Sequence, residues 1–224
     1  MKRKITLFMM AITGILIGLT NSCKKEKPGN SSAGIATSFT EEFDYVNQLE
    51  TEGWVFKDNS EYSAEWRQAG YKGSVNFPAY SFTVSPDEYI GAYAGISSTS
   101  YSISSWLITP VLSVKNGDKI SFFTRSDTSS SGVVYKDRMQ VLINNSISSN
   151  VGGGINSTGD FSTSLFDINP THAPGGYPII WTKFEYTFSG ISGKVSTRIA
   201  FRYVVPASAG SNMIGIDLFK FESN

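Results

Sequence analysis

The sequence predicts an all-β protein, an antiparallel β-sandwich. Three observations support this: apolar and polar residues alternate at period two, turn-forming sequences separate the alternating runs, and long helical periodicity is absent. The clearest run is Val195, Thr197, Ile199, Phe201 and Tyr203, with Ser196, Arg198 and Arg202 on the other face. Phe184, Tyr186 and Phe188 alternate with Lys183, Glu185 and Thr187, and Met139, Val141 and Ile143 with Arg138, Gln140 and Leu142. Each run reads as a strand with one face buried. Asn116-Gly117-Asp118 and Ser192-Gly193-Lys194 have the chemistry of hairpin turns. About ten strands are expected from Thr37 to Phe221, with room for helix only at Tyr45 to Glu50 or near Ser162 to Phe166. Asn144 to Pro178 breaks the rhythm with a long stretch rich in Gly, Ser and Asn. Connections of that length in a compact domain are functional or disordered. Phe161, Leu165, Phe166 and Ile168 within it are expected to pack down. No internal repeat appears, which argues for one domain.

The N-terminus carries an export signal. Lys2, Arg3 and Lys4 precede an uncharged, mostly apolar run from Ile5 to Thr20. That run is short for a membrane-spanning helix, which takes roughly 20 residues. Leu19-Thr20-Asn21-Ser22-Cys23 follows and resembles the bacterial lipobox. The resemblance implies cleavage before Cys23 and acylation of its sulfur and new amine. Two or more acyl chains hold a protein stably to a membrane, where one holds it marginally. The competing reading is an ordinary secretory signal with an incidental cysteine. Residues 1–22 are thus expected to be a lipoprotein signal peptide, 23–36 the lipidated cysteine and a flexible tether, and 37–224 the folded domain. Cys23 is the only cysteine, so no intrachain disulfide and no thiolate metal cluster can form. The expected location is the outer membrane of a Gram-negative envelope. Surface exposure is a further expectation, although Lys24-Lys25-Glu26-Lys27 departs from the more acidic pattern of surface-export signals.

Charge excludes one class of partner. The chain has 19 basic and 19 acidic residues, and removal of the signal leaves 16 against 19. A mildly acidic domain offers no basic face for nucleic acid. Its length is enough to bury roughly 70% of the unfolded surface.

An ordered series of blocks resembles the choice-of-anchor J domain, a relative of the cleaved adhesin domains of bacterial surface proteins. The early blocks are Glu42-Phe43-Asp44 with Gly53-Trp54, Tyr93-Ala94-Gly95, Ser105-Trp106-Leu107-Ile108-Thr109-Pro110, Asn116-Gly117-Asp118 and Asp137-Arg138-Met139-Gln140-Val141. The later ones are Gly159-Asp160-Phe161, Ile168-Asn169-Pro170, Gly175-Gly176-Tyr177-Pro178, Trp181-Thr182, Arg198-Ile199-Ala200-Phe201-Arg202-Tyr203 and Ile214-Gly215-Ile216-Asp217. The resemblance implies a jelly roll like galactose-binding domains, on exported proteins held by varied anchors. An N-terminal lipid is expected in place of a C-terminal sorting segment. The family specifies a location and no ligand.

Asp217 is the most informative polar residue, a carboxylate in a strand of apolar neighbours. Such a group must be paired, hydrogen-bonded or bound to a cation. Glu42 and Asp44 are expected on one strand face, and the resemblance implies that first and last strands lie close together. Clustered hard oxygens suit calcium, and Asp58, in the turn Lys57-Asp58-Asn59-Ser60, is a further candidate ligand. One reading is therefore a structural calcium site of Glu42, Asp44, Asp58 and Asp217. The other is a salt bridge from Asp217 to Arg198 or Arg202, or hydrogen bonds to backbone.

Aromatic faces offer platforms for sugar rings. Trp54, Trp106 and Trp181 are expected in the core, whereas Trp66, between Glu65 and Arg67, is the best exposed platform, with Tyr71 and Tyr177 as companions. His172 is the only histidine, so no His-Glu-x-x-His zinc helix exists, and no Gly-x-Ser-x-Gly elbow accompanies it. Gly152-Gly153-Gly154 lacks the Lys-Ser/Thr of a phosphate loop. The sequence therefore points to a non-catalytic, envelope-anchored binding or adhesion module for a glycan or protein. The alternatives are a carbohydrate-active enzyme on the same sandwich and a structural subunit of a surface complex.

Overall fold

A computed structural model describes residues 36–69, 77–81, 88–94, 100–128 and 132–224. The expected signal peptide at residues 1–22, Cys23 and Tyr71 lie outside the described residues. The chain divides into Met1–Asn30 and Ser31–Asn224, and only the second unit contains described residues.

Thirteen strands and one 3₁₀ helix make up the described fold. They are β1 (Phe39–Glu41), the 3₁₀ helix (Val46–Glu52), β2 (Val55–Asp58), β3 (Trp66–Gln68), β4 (Ile90–Tyr93), β5 (Ile103–Ile108), β6 (Leu112–Val114) and β7 (Lys119–Ser126). There follow β8 (Met139–Ile143), β9 (Thr163–Ile168), β10 (Thr182–Thr187), β11 (Val195–Thr197), β12 (Ile199–Val205) and β13 (Met213–Glu222). One sheet runs β10-β7-β13-β4-β3, with β1 also on β13, and the other runs β2-β5-β12-β8-β9; β6 and β11 form a short two-stranded sheet. Every paired strand is antiparallel. The protein is an antiparallel β-sandwich.

The core is aromatic and lies between the sheets. Phe122 of β7 meets Phe201 of β12 edge-on with ring centroids 5.1 Å apart, and Phe201 meets Phe219 of β13 at 5.7 Å. Edge-to-face pairs of this kind add about 0.5–1.5 kcal/mol each beyond the area they bury. One lateral edge of the sandwich is sealed the same way, because Phe166 of β9 reaches across to Phe184 and Tyr186 of β10. The opposite edge, between β2 and β3, has no such seal among the described residues, and a cleft opens there.

Three sequence expectations are corrected. Ser162 to Phe166 is strand, mostly within β9, and the only helix among the described residues is the 3₁₀ turn Val46–Glu52. Gly53 ends that turn at φ +91°, a left-handed conformation that glycine adopts without steric cost. The turns at Asn116–Asp118 and Ser192–Lys194 are not hairpins: β6 pairs with β11, so each turn carries the chain from one sheet to another. β12 is buried on both faces, because residues 144–161 fold back over its outer side. Phe161 and Val151 pack there with Trp106, Ile108, Leu142 and Ala200.

Candidate functional site

The cleft lies at the open edge. β3 contributes Trp66, Arg67 and Gln68, β2 contributes Phe56, Lys57 and Asp58, and β5 contributes Ser105 and Trp106. The 3₁₀ helix closes one end with Val46, Asn47 and Glu50. Gln68 fixes this closure, since its Oε1 accepts the N–H of Val46 at 3.0 Å while its Nε2 donates to the carbonyl of Phe43 at 2.8 Å. The open cleft offers about 870 Å³, within the range of small-ligand sites.

Two polar atoms buried beneath the cleft lack partners among the described residues. Trp66 and Ser105 are buried, yet the indole Nε1 of Trp66 and the hydroxyl of Ser105 make no hydrogen bond among the described residues. Buried polar atoms are normally satisfied, and an unmet one costs about 1–3 kcal/mol. Both atoms lie beneath the solvent-accessible surface of the cleft. The mouth is acidic, with Asp44, Glu50, Asp58 and Glu65 against Lys57 and Arg67. Arg67 lies over the ring of Tyr93 at 5.7 Å.

Trp66 is therefore a lining residue of a cleft and not an exposed platform. Its polar neighbours misled the sequence reading, because on a strand Trp66 turns inward while Arg67 turns out. Tyr177 is also no platform: it is buried, and its hydroxyl shares a 2.7 Å hydrogen bond with Thr124 Oγ1. Trp54 and Trp106 are core residues as expected, and Trp181 packs against Tyr89 and Phe77 while donating to the carbonyl of Pro78 at 2.8 Å. Sequence reading missed Tyr62 and Tyr101, two exposed rings stacked at 5.5 Å.

The four candidate calcium ligands are not gathered. Asp44 and Asp58 both line the cleft, but Asp58 spends Oδ1 on the N–H of Ser60 and Oδ2 on that of Ala64. Asp217 sits in the other sheet, on β13. First and last strands do pair, Glu41 opposite Phe219. However, Phe43 adopts φ +57°, and it is Glu41 that is buried while Glu42 is part-exposed. Among the described residues no group of three His, Cys, Asp or Glu side chains is placed to hold a metal ion. Asp217 instead accepts the N–H groups of Tyr80 (2.7 Å), Ser81 (3.0 Å) and Leu218 (2.6 Å) and the hydroxyl of Ser81. Burial nonetheless pushes its carboxyl up to about 6, because desolvation outweighs these donors.

Neither arginine proposed as its partner reaches it. Arg198 donates to the carbonyls of Ile147, Gly53 and Thr109. Arg202 donates to Ser104 Oγ, Gln140 Oε1 and the carbonyl of Ile155, and stacks on Trp106 at 4.8 Å. Burial lowers its pKa to about 10. His172 is a loop residue at φ +51°, its Nδ1 3.2 Å from the carbonyl of Lys136.

The K1 cleaved adhesin domain of Lys-gingipain from Porphyromonas gingivalis W83 is similar at a TM-score of 0.51 and 16% identity, over 84% of this chain and 99% of that domain. The K2 cleaved adhesin domain of Lys-gingipain is similar at 0.50 and 14%, over 84% and 98%. The chain shares the fold of these adhesin domains. No family model matches the sequence, and no curated protein does.

Proposed function

We propose that the protein is a non-catalytic binding module of choice-of-anchor J type, held to the cell envelope by lipid on Cys23, and that its ligand is a glycan bound in the cleft between β2 and β3. The observation that carries this reading is an open cleft at the unsealed sheet edge, lined by Trp66, Phe56 and Trp106 among polar and acidic groups. An aromatic floor with a few convergent polar groups is the chemistry of a small-ligand site, and sugar rings present both apolar faces and hydroxyl oxygens to it. A protein ligand fits this cleft less well, because a standard protein interface buries about 800 Å² on each partner. The acidic residues at the mouth sustain the second reading, a carbohydrate-active enzyme, which needs two facing carboxyl groups.

A glycan array probed with the purified protein tests the proposal, run beside a hydrolysis assay on every glycan that binds. Binding that falls at least several-fold in Trp66→Phe, with the melting midpoint kept, supports it. Substitution to Phe removes the indole donor and keeps an aromatic ring. Release of reducing ends would replace it with the enzymatic reading, and binding unchanged by Trp66→Phe would move the site elsewhere.

A further inference from the structure

The cleft lining ends at Asp58 and Ser105, which face each other across β2 and β5. Beyond them the two chain segments stay paired: Asn59 N–H donates to Ser104 O, Glu61 N–H to Ser102 O, Ser104 N–H to Ser60 Oγ, and Ser102 N–H to Glu61 Oε2 at 2.7 Å. This extension carries Tyr62 and Tyr101, stacked at an interplanar angle of 25° and exposed at 50% and 41%. Two large aromatic residues left half in water, on a ladder that holds their backbone, are a prepared contact surface. Each stands four residues beyond the last cleft-lining residue of its own segment, Asp58 or Ser105, up to about 13 Å at strand rise. That span exceeds one sugar ring.

Charge narrows the chemistry. The cleft lining holds four carboxylates against two cations, and Glu61 adds another beside the tyrosines. Carboxylates at the mouth repel anions and favour neutral or cationic ligands. The aromatic lining of Trp66, Phe56 and Trp106 offers apolar faces to sugar rings without adding charge.

We propose that the edge cleft and the Tyr62–Tyr101 pair form one elongated site for a neutral or basic oligosaccharide chain, one unit seated on the Trp66 floor and later units lying against the tyrosines. This rests on the cleft being the glycan site.

Calorimetric titration with chito-oligosaccharide, cello-oligosaccharide and oligogalacturonate series, each from disaccharide to hexasaccharide, tests it on the wild type, Tyr62→Ala, Tyr101→Ala and Trp66→Phe. The expected result is affinity that rises with chain length in a neutral series, with the oligogalacturonates weak throughout. Each tyrosine variant should bind the hexasaccharide about threefold to tenfold more weakly, the worth of one aromatic contact, while binding the disaccharide like the wild type. Both tyrosines are exposed, so the melting midpoint should hold. Length-independent binding that only Trp66→Phe weakens would overturn the elongated site and leave the cleft reading standing. Oligogalacturonate binding as tight as the neutral series would overturn the charge argument. Absence of binding to all three series, with a folded protein, would overturn the glycan cleft itself.

Discussion

The carboxylate of Asp217, on β13, accepts the backbone N–H of Tyr80 at 2.7 Å, joining positions 137 apart in sequence. With the Ser81 contacts it fastens residues 77–81 across the outer face of the sheet. Tyr80 stacks on Phe123 of β7, the residue opposite Asp217 in register. Leu218 adopts φ +50°, and the register between β13 and β7 shifts between Asp217 and Lys220. This bulge turns Phe219 and Phe221 into the core while Asp217 faces the fastened segment.

Asp217→Asn is expected to lower stability by about 1–3 kcal/mol, because an amide turns two donor hydrogens toward the N–H groups that the carboxylate accepts. In a domain of this size that lowers the melting midpoint by roughly 2–4 °C per kcal/mol. Differential scanning calorimetry with and without chelator separates this from calcium. On the hydrogen-bond account, chelator leaves the wild-type midpoint in place. A chelator-dependent fall that calcium reverses and Asp217→Asn lacks would restore the calcium site.

Much of the fold was legible, and the reason is periodicity. β10 alternates part-buried and exposed residues throughout, as Phe184 and Tyr186 predict. β8 follows its pattern less strictly, because Leu142 turns from the core into the cluster under residues 144–161. The pairing of strands was less legible: Asn116-Gly117-Asp118 has hairpin chemistry, and turn chemistry fixes a reversal without fixing which sheet the next strand joins. The site was legible only as a residue. Trp66 was singled out, but its burial depends on β4 and β5, which are distant in sequence. Asp217 was read correctly as a buried carboxylate needing partners, whereas its partners at 80 and 81 carry no local signal, since backbone N–H groups look alike in every sequence.

The long connection should depend on Arg202. Its guanidinium joins Ser104, Gln140 and the carbonyl of Ile155 while covering Trp106. Lysine keeps a charge but loses the planar fork and the stacking. Arg202→Lys is expected to raise the rate of limited proteolysis within 144–161 several-fold and to leave cleavage elsewhere unchanged. Equal rates in both proteins would show that Phe161 and Val151 hold the segment alone.

The anchor should depend on one sulfur atom. Cys23→Ser is expected to abolish palmitate labelling and to move the protein from the membrane to the soluble fraction, because a hydroxyl does not replace the acylated thiol. Labelled palmitate on Cys23→Ser protein would remove lipidation at Cys23 from the proposal.

Stability should also rise on mild acidification, through Asp137. This carboxyl is buried, accepting the hydroxyl of Tyr203 at 2.6 Å and the N–H of Asn212 at 3.1 Å on Oδ1, while Oδ2 has no partner among the described residues. Desolvation pushes its pKa up to about 7 against these donors. An unfolded aspartate titrates near 3.9, so between about pH 4 and 7 the folded state binds a proton that the unfolded state does not. The resulting stability is fully present below about pH 4 and is lost as pH rises through 7, on the order of a few kcal/mol. Asp118 and Asp167 act in the opposite sense, since hydrogen bonds and nearby cations lower their pKa values. Their contribution is present above about pH 4 and lost only in stronger acid, so the two windows do not overlap. Urea midpoints at about pH 5 and 8 should differ in the wild type, with the higher midpoint in acid. Asp137→Asn imitates the protonated form, keeping an acceptor for Tyr203 and Asn212. It is expected to narrow the difference between the two pH values, with Asp217, whose carboxyl is also raised, to about 6, supplying the remainder, and to exceed the wild type at the higher one. A variant that keeps the full wild-type pH dependence would assign the effect to another group.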